Sequence, residues 1–187
     1  MVPALRRTVS PTLLPITTFE GMRFLNLDDA DEMQDEVTGF IQEATDKVER
    51  DAQRMLMPQT WQMSLDRFPC DDIELPKFPV TAVNFLKYTT GAVLTTWGTS
   101  NYETDLVSEP ARISPVSGTS WPSTDCKLNA VVIEWTAGYT SQSDLTAKRA
   151  AAKSAVLLAM KAAYDGCGCS ERYWDLITSL RATGFVR

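Results

Sequence analysis

The chain has 187 residues, of which 44% are hydrophobic and 22% charged, with a net charge of −6. That is enough apolar material for one sizeable core, or a core with a small satellite, and too much for wholesale disorder. The acidic balance argues against a protein that grips nucleic acid through its phosphates, and the absence of histidine excludes Ser–His–Asp, Cys–His and His-ligated metal chemistry.

Residues 1–16 carry Pro3, Pro11 and Pro15 and read as an extended arm. Met1–Arg7 has two arginines but no apolar run behind them, so a signal peptide is not expected. Thr17 and Glu20 have capping-box spacing, which predicts a short helix to about Leu25 with Phe19, Met22, Phe24 and Leu25 on its buried side. Asp28 or Asp29 is then the expected cap of a longer helix running to about Leu56. Met33, Val37, Phe40, Ile41, Ala44, Val48, Ala52 and Met55 form its apolar stripe at alternating spacings of three and four. Pro58 follows as a stop.

From Gln59 the texture becomes that of strands. Trp61, Met63, Leu65 and Arg67 alternate with polar neighbours, and Ile73–Leu75, Val80–Tyr88, Ala92–Trp97, Tyr102–Val107, Ala111–Ser114 and Ala130–Thr136 follow. Gly91 marks a hairpin turn between two of them. Helical texture returns at Ser143-Asp144 and runs to Asp165, with Gly166 as the residue after the cap. This helix is apolar around most of its circumference and should be buried on more than one side. A last helix, about Ser170–Arg181, carries Tyr173, Trp174, Ile177 and Leu180. The expected class is α+β: a helical bundle (residues 1–57 and 140–187) with an inserted small antiparallel β domain (58–139).

Catalytic and ligand-binding candidates are thin. Cys167-Gly168-Cys169 has too short a spacing for a zinc knuckle and no histidine to complete a ligand set. Gly118–Pro122 and Gly166–Gly168 lack the lysine and the strand–helix setting of a phosphate loop. Asp66, Asp72 and Glu74 are conceivable acid/base carboxylates but look like ordinary surface residues. Trp97, Tyr102 and Trp121 allow an alternative reading, a module recognising carbohydrate or peptide. No cofactor and no metal is expected. No run approaches the ~20 apolar residues of a membrane span. Asp31, Glu32, Asp35 and Glu36 crowd the start of the long helix, and Lys148, Arg149 and Lys153 the apolar one. The two groups are complementary enough to pair within a subunit or across a subunit boundary.

One stretch has a familiar order. Gln59-Thr60-Trp61, Leu65-Asp66-Arg67-Phe68-Pro69, Ile73-Glu74-Leu75-Pro76 and Pro79-Val80 come first. Tyr88, Tyr102, Pro110-Ala111-Arg112-Ile113, Trp121-Pro122 and Asn129–Tyr139 follow. With the entry Pro15–Glu20 and Phe24–Asp28, the series resembles the head–tail connector (adaptor) family of tailed phages and phage-derived gene transfer agents, over about residues 15–165. The Gly166–Cys169 segment departs from the family's usual continuation.

The resemblance implies a structural, non-enzymatic ring subunit, of twelve copies, beneath the portal. Its partners would be the portal, a stopper or tail-completion protein, and double-stranded DNA passing without sequence-specific binding. It would reside in the virion, and in the host cytoplasm before assembly. Gly184, Phe185, Val186 and Arg187 would meet the portal.

Overall fold

The computed structural model describes residues 3–27, 33–125 and 127–181. They form two compact units: one joins the N-terminal residues through Ser10 to Gln59–Gly138, the other joins Pro11–Pro58 to the chain from Tyr139 onward. The first ten residues, expected in the helical part, thus belong to the β unit. They are extended as anticipated, but Ala4–Val9 (β1) pairs antiparallel along the strand Gln59–Leu65 (β2). Arg6 Nε donates to Gln62 Oε1 at 2.6 Å and helps hold β1 at the edge.

The β unit contains two antiparallel sheets. The larger has the order β1-β2-β8-β4-β5, with β4 at Val80–Thr90, β5 at Val93–Thr96 and β8 at Val131–Ala137. The smaller has the order β3-β7-β6, from Ile73–Leu75 (β3), Ala111–Pro115 (β7) and Tyr102–Asp105 (β6). The central strand β8 buries Val131, Ile133, Trp135 and Ala137, the period-two pattern of a strand with one core face. Trp135 Nε1 donates to the Lys77 carbonyl at 3.0 Å, so the large ring is buried without an orphaned donor.

The β4–β5 hairpin turns on Gly91-Ala92, both in the left-handed region (φ 56° and 62°), as a two-residue turn between antiparallel strands demands. Asp125 clamps it: one carboxylate oxygen accepts from Gly91 N at 3.0 Å and the other from Ala92 N at 2.9 Å.

The helical unit comprises α1 (Thr18–Leu25), α2 (Gln34–Ala52), α3 (Gln142–Tyr164) and α4 (Glu171–Leu180). Thr17 caps α1 with the full reciprocal box: its hydroxyl accepts from Glu20 N at 3.1 Å while Glu20 accepts from Thr17 N at 2.9 Å. α1 buries Gly21 and Met22, whereas Phe19 (54% exposed) and Phe24 (37%) face outward, contrary to the expected packing. At Gly21 an added Cβ would lie 3.1–3.2 Å from Val37, Ile41 and Met160, so α1 closely approaches both α2 and α3.

α2 ends at Ala52, four residues before the predicted stop. Gln53 takes a left-handed cap (φ 55°), and Glu49 turns its carboxylate to the Leu56 N–H at 2.7 Å, diverting the chain into a buried, non-helical Arg54–Met57. The expected caps Asp28 and Asp29 lie outside the described residues, and α2 opens at Met33 without a side-chain cap.

α3 is capped by Ser141 rather than Ser143, its hydroxyl accepting from Asp144 N at 3.1 Å. It departs from helical geometry at Arg149 (φ −148°, ψ 64°), and Thr146–Ala150 are all exposed. Burial resumes with Ala152, Ala155, Val156, Ala159 and Met160, which share a core with Val37, Ile41, Val48, Tyr173 and Ile177.

Candidate functional site

With no histidine in the chain, the places to search for function are charged ends, aromatic clusters and exposed apolar side chains. α2 and α3 run antiparallel. Tyr139, at the entry to α3, lies beside Leu56 just past α2 (N···O 3.4 Å), while Phe40 meets Tyr164 edge-on at 5.7 Å. The exposed Asp35 and Glu36 therefore sit at the opposite end of the helix pair from Lys148 and Arg149, roughly 25 Å away at 1.5 Å per residue. They do not pair within one subunit. Lys148 is instead held by Asp144 at 2.8 Å and Lys153 by Glu20 at 2.5 Å, so Lys153 serves the internal α1–α3 joint. Burial acts to raise the Glu20 carboxyl, but the Lys153 ammonium and the Thr17 donors outweigh it and leave it below the ordinary range. Arg149, Asp35 and Glu36 have no ion-pair partner among the described residues. Asp31, Glu32 and the whole of Gly184–Arg187 lie outside them.

The C-terminal end of α4 is firmly held. Arg54, buried, donates to the Leu180 carbonyl at 2.9 Å and to Tyr139 Oη at 3.1 Å. Arg181 Nε donates to the Asp51 carbonyl at 3.1 Å, and Tyr173 Oη to Asp51 Oδ2 at 2.7 Å. Burial opposes the charge on Asp51. The hydrogen bonds from Tyr173 and Lys47, with the charges of Lys47 and Arg50, still depress its pKa, while burial and Asp51 push the Tyr173 phenol well above its usual range. The last turn of α4 is thus pinned where the C-terminal tail begins. Nothing in local periodicity marks Arg54 for this role, since it falls outside the helical stripe.

The aromatic residues proposed for ligand binding mostly stack on one another. Phe68 lies parallel to Trp121 at 4.8 Å, Trp97 stacks on Tyr102 at 5.7 Å and meets Trp121 at 5.1 Å, and Phe68 reaches Tyr88 on β4 at 6.0 Å. Trp121 Nε1 is spent on the Asp71 carbonyl at 3.2 Å. The cluster ties the two sheets together. The carboxylates proposed for acid/base work are similarly occupied: Asp66 accepts from Asn129 N at 2.9 Å, Asp72 bonds Ser114 Oγ, and Glu74 faces Arg112 across the β3–β7 pair. Among the described residues no cluster of three or more His, Cys, Asp or Glu is placed to hold a metal. Cys70, Cys167 and Cys169 are free thiols. No helix is long and apolar enough to cross a membrane, among the described residues.

Solved structures match this arrangement. A chain in a virion of a native gene transfer agent particle superposes with a TM-score of 0.76 at 20% identity, covering 96% of this chain and 95% of that one. A neck of an empty particle, computed with C6 symmetry, gives 0.77 at 20% identity, covering 96% of each chain. A neck of a native particle, computed with C12 symmetry, gives 0.71 at 22% identity, covering 98% of this chain and 96% of that one. The chain has the fold of a gene transfer agent neck component. No protein-family model matches it, and no curated protein does.

That fold leaves aromatic side chains outward on the helical unit, among them Phe19, Phe24 and Trp174 (46% exposed), which the sequence reading placed inside or left unassigned. On a wheel of 100° per residue, positions 19 and 24 flank the inward direction of Gly21 and Met22, and on α4 position 174 flanks the Tyr173–Ile177–Leu180 stripe, so each sits at the edge of a buried face.

Proposed function

We propose that this chain is a structural subunit of a phage-like particle, a head–tail adaptor that forms a ring beneath the portal, meets the next neck or tail protein and lines the passage for DNA. The observation that carries this reading is the shared fold, over 96% of the chain, with components of gene transfer agent particles solved as virion and neck. The net charge of −6 supports it, because a conduit wall should not bind the DNA that slides along it. The twelvefold symmetry in which one neck structure was computed favours twelve copies.

In this reading the work of the chain is binding, not catalysis. The pinned end of α4 gives the tail a fixed origin at Arg181, which suits Gly184–Arg187 as a peptide that docks on the portal. The charged ends of the α2–α3 pair, with Asp35 and Glu36 at one end and Lys148 and Arg149 at the other, are exposed and can meet neighbouring copies.

The test is microscopy of particles made without the chain. Heads and tails should accumulate separately, and supplying the intact protein should rejoin them. Supplying protein truncated after Thr183 should restore neither joining nor co-purification with the portal. Normal joined particles in the absence of the protein would overturn the reading.

A further inference from the structure

The helical unit carries an aromatic knob on one flank and a matching hollow on the other. The hollow, about 370 Å³, is lined by Glu20, Arg23 and Phe24 of α1 with Lys153 and Leu157 of α3. The knob is Trp174 on α4, its ring exposed although one face lies near Lys47 Nζ, 5.4 Å from the centroid. We propose that Trp174 of one copy seats in the α1–α3 hollow of the next, as the central contact of a head-to-tail ring. The inference rests on the reading of the chain as a ring subunit and adds which surfaces meet.

Three observations support it. First, the two features face apart. Thr18 Oγ1 and Thr38 Oγ1 are 3.0 Å apart, which puts α1 on the Thr38 side of α2, whereas Lys47 lies against Tyr173 and Trp174 of α4. Positions 38 and 47 are about two and a half helical turns apart, hence on opposite sides of α2. A two-fold dimer uses one self-complementary patch, while a ring needs two different patches on opposed flanks.

Second, the charges are complementary. Inside the hollow Lys153 is neutralised by Glu20, leaving Arg23, whose guanidinium sits 5.8 Å from the Phe19 ring and has no carboxylate partner among the described residues. Beside the knob, Glu171 and Asp175 are exposed and lack a cation among the described residues. An arginine next to an indole face and a carboxylate gains from both.

Third, the hollow has room for a side chain, and Phe24 and Leu157 give it apolar walls beside the charged Glu20, Arg23 and Lys153. Buried Trp and Arg anchors dominate protein interfaces.

The experiment measures ring formation by sedimentation and negative-stain microscopy, for the full chain alone and with its portal, over a range of concentrations. Trp174→Ala should raise the concentration for half-assembly about tenfold or more. Arg23→Asp and Asp175→Arg should each weaken assembly several-fold, and the double variant should recover much of the loss. Thermal melts verify folding, and the two charge variants alter exposed positions, so the test survives if Trp174→Ala misfolds. Wild-type rings with unchanged assembly of the variants, or a double variant no better than the sum of its parts, would overturn the contact and leave the ring intact. Failure of the wild-type chain to form a ring, alone and on the portal, would overturn the ring-subunit reading and the contact with it.

Discussion

Ala92 holds a backbone conformation that costs an L-residue about 1 kcal/mol, and it is tolerated because Asp125 binds both amides of the turn. Ala92→Gly should therefore stabilise the β unit by about 0.5–1 kcal/mol, visible as a higher denaturation midpoint. Asp125→Ala should destabilise it by about 1–2 kcal/mol, the loss of two charge-assisted hydrogen bonds tempered by water that can replace them. The opposite logic holds at Gly21, where the backbone is ordinary and the space is not. Gly21→Ala sets a gain in helix propensity against contacts of 3.1–3.2 Å, but Gly21→Val adds bulk that Val37, Ile41 and Met160 must absorb. The valine variant should lose about 1–3 kcal/mol in chemical denaturation. The two changes at the β4–β5 turn are silent about assembly, since neither touches the helical unit.

The attachment of α4 is a set of polar bonds around a small apolar stripe, and it should respond to pH. The carboxyls of Asp51 and Glu20 lie below their unfolded values, so their contribution is complete only above about pH 5 and is lost as pH falls through the folded values. The helical unit should melt at lower temperature on acidification below about pH 5, and Asp51→Asn should make that decline shallower. Tyr173→Phe should cost about 1–2 kcal/mol, and Arg54→Met about 2–3 kcal/mol because the Leu180 carbonyl and the Tyr139 hydroxyl lose a donor in a buried place. The elements themselves were legible where pattern is local: the Thr17–Glu20 box, the period-two run of β8, the stripe of α2 and the Gly91 turn. Pattern failed where a distant partner decides. A carboxylate from Glu49 ends α2 early, β1 takes its place only by pairing with a strand more than fifty residues on, and Arg54 owes its role to α4. The candidate site was read least well. Lys148 and Lys153 each have a partner within the fold, and the phenylalanines of α1 were assigned to the core by composition although they sit at the edges of its buried face.

At the scale of the whole molecule, the proposed ring would draw on two classes of contact between copies, and salt separates them. Asp35 and Glu36 at one end of the helix pair, and Lys148 and Arg149 at the other, are exposed charges whose attraction across a boundary acts through water. The Debye length falls from about 30 Å at 0.01 M to about 8 Å at 0.15 M, so such pairs steer association at low ionic strength and fade near physiological salt. A tryptophan seated against Phe24 and Leu157 draws on buried apolar area, which salt does not screen. Reversing Lys148 and Arg149 to glutamate should therefore weaken assembly several-fold at low salt and little at high salt. Trp174→Ala should weaken it at both. Sedimentation of the two variants at the two ionic strengths reads this directly: equal behaviour of the charge-reversed protein and wild type at low salt would remove the charged ends from the boundary. The Lys148–Asp144 bond is an i,i+4 pair on an exposed turn and adds little to stability, so its loss cannot imitate the assembly effect through unfolding.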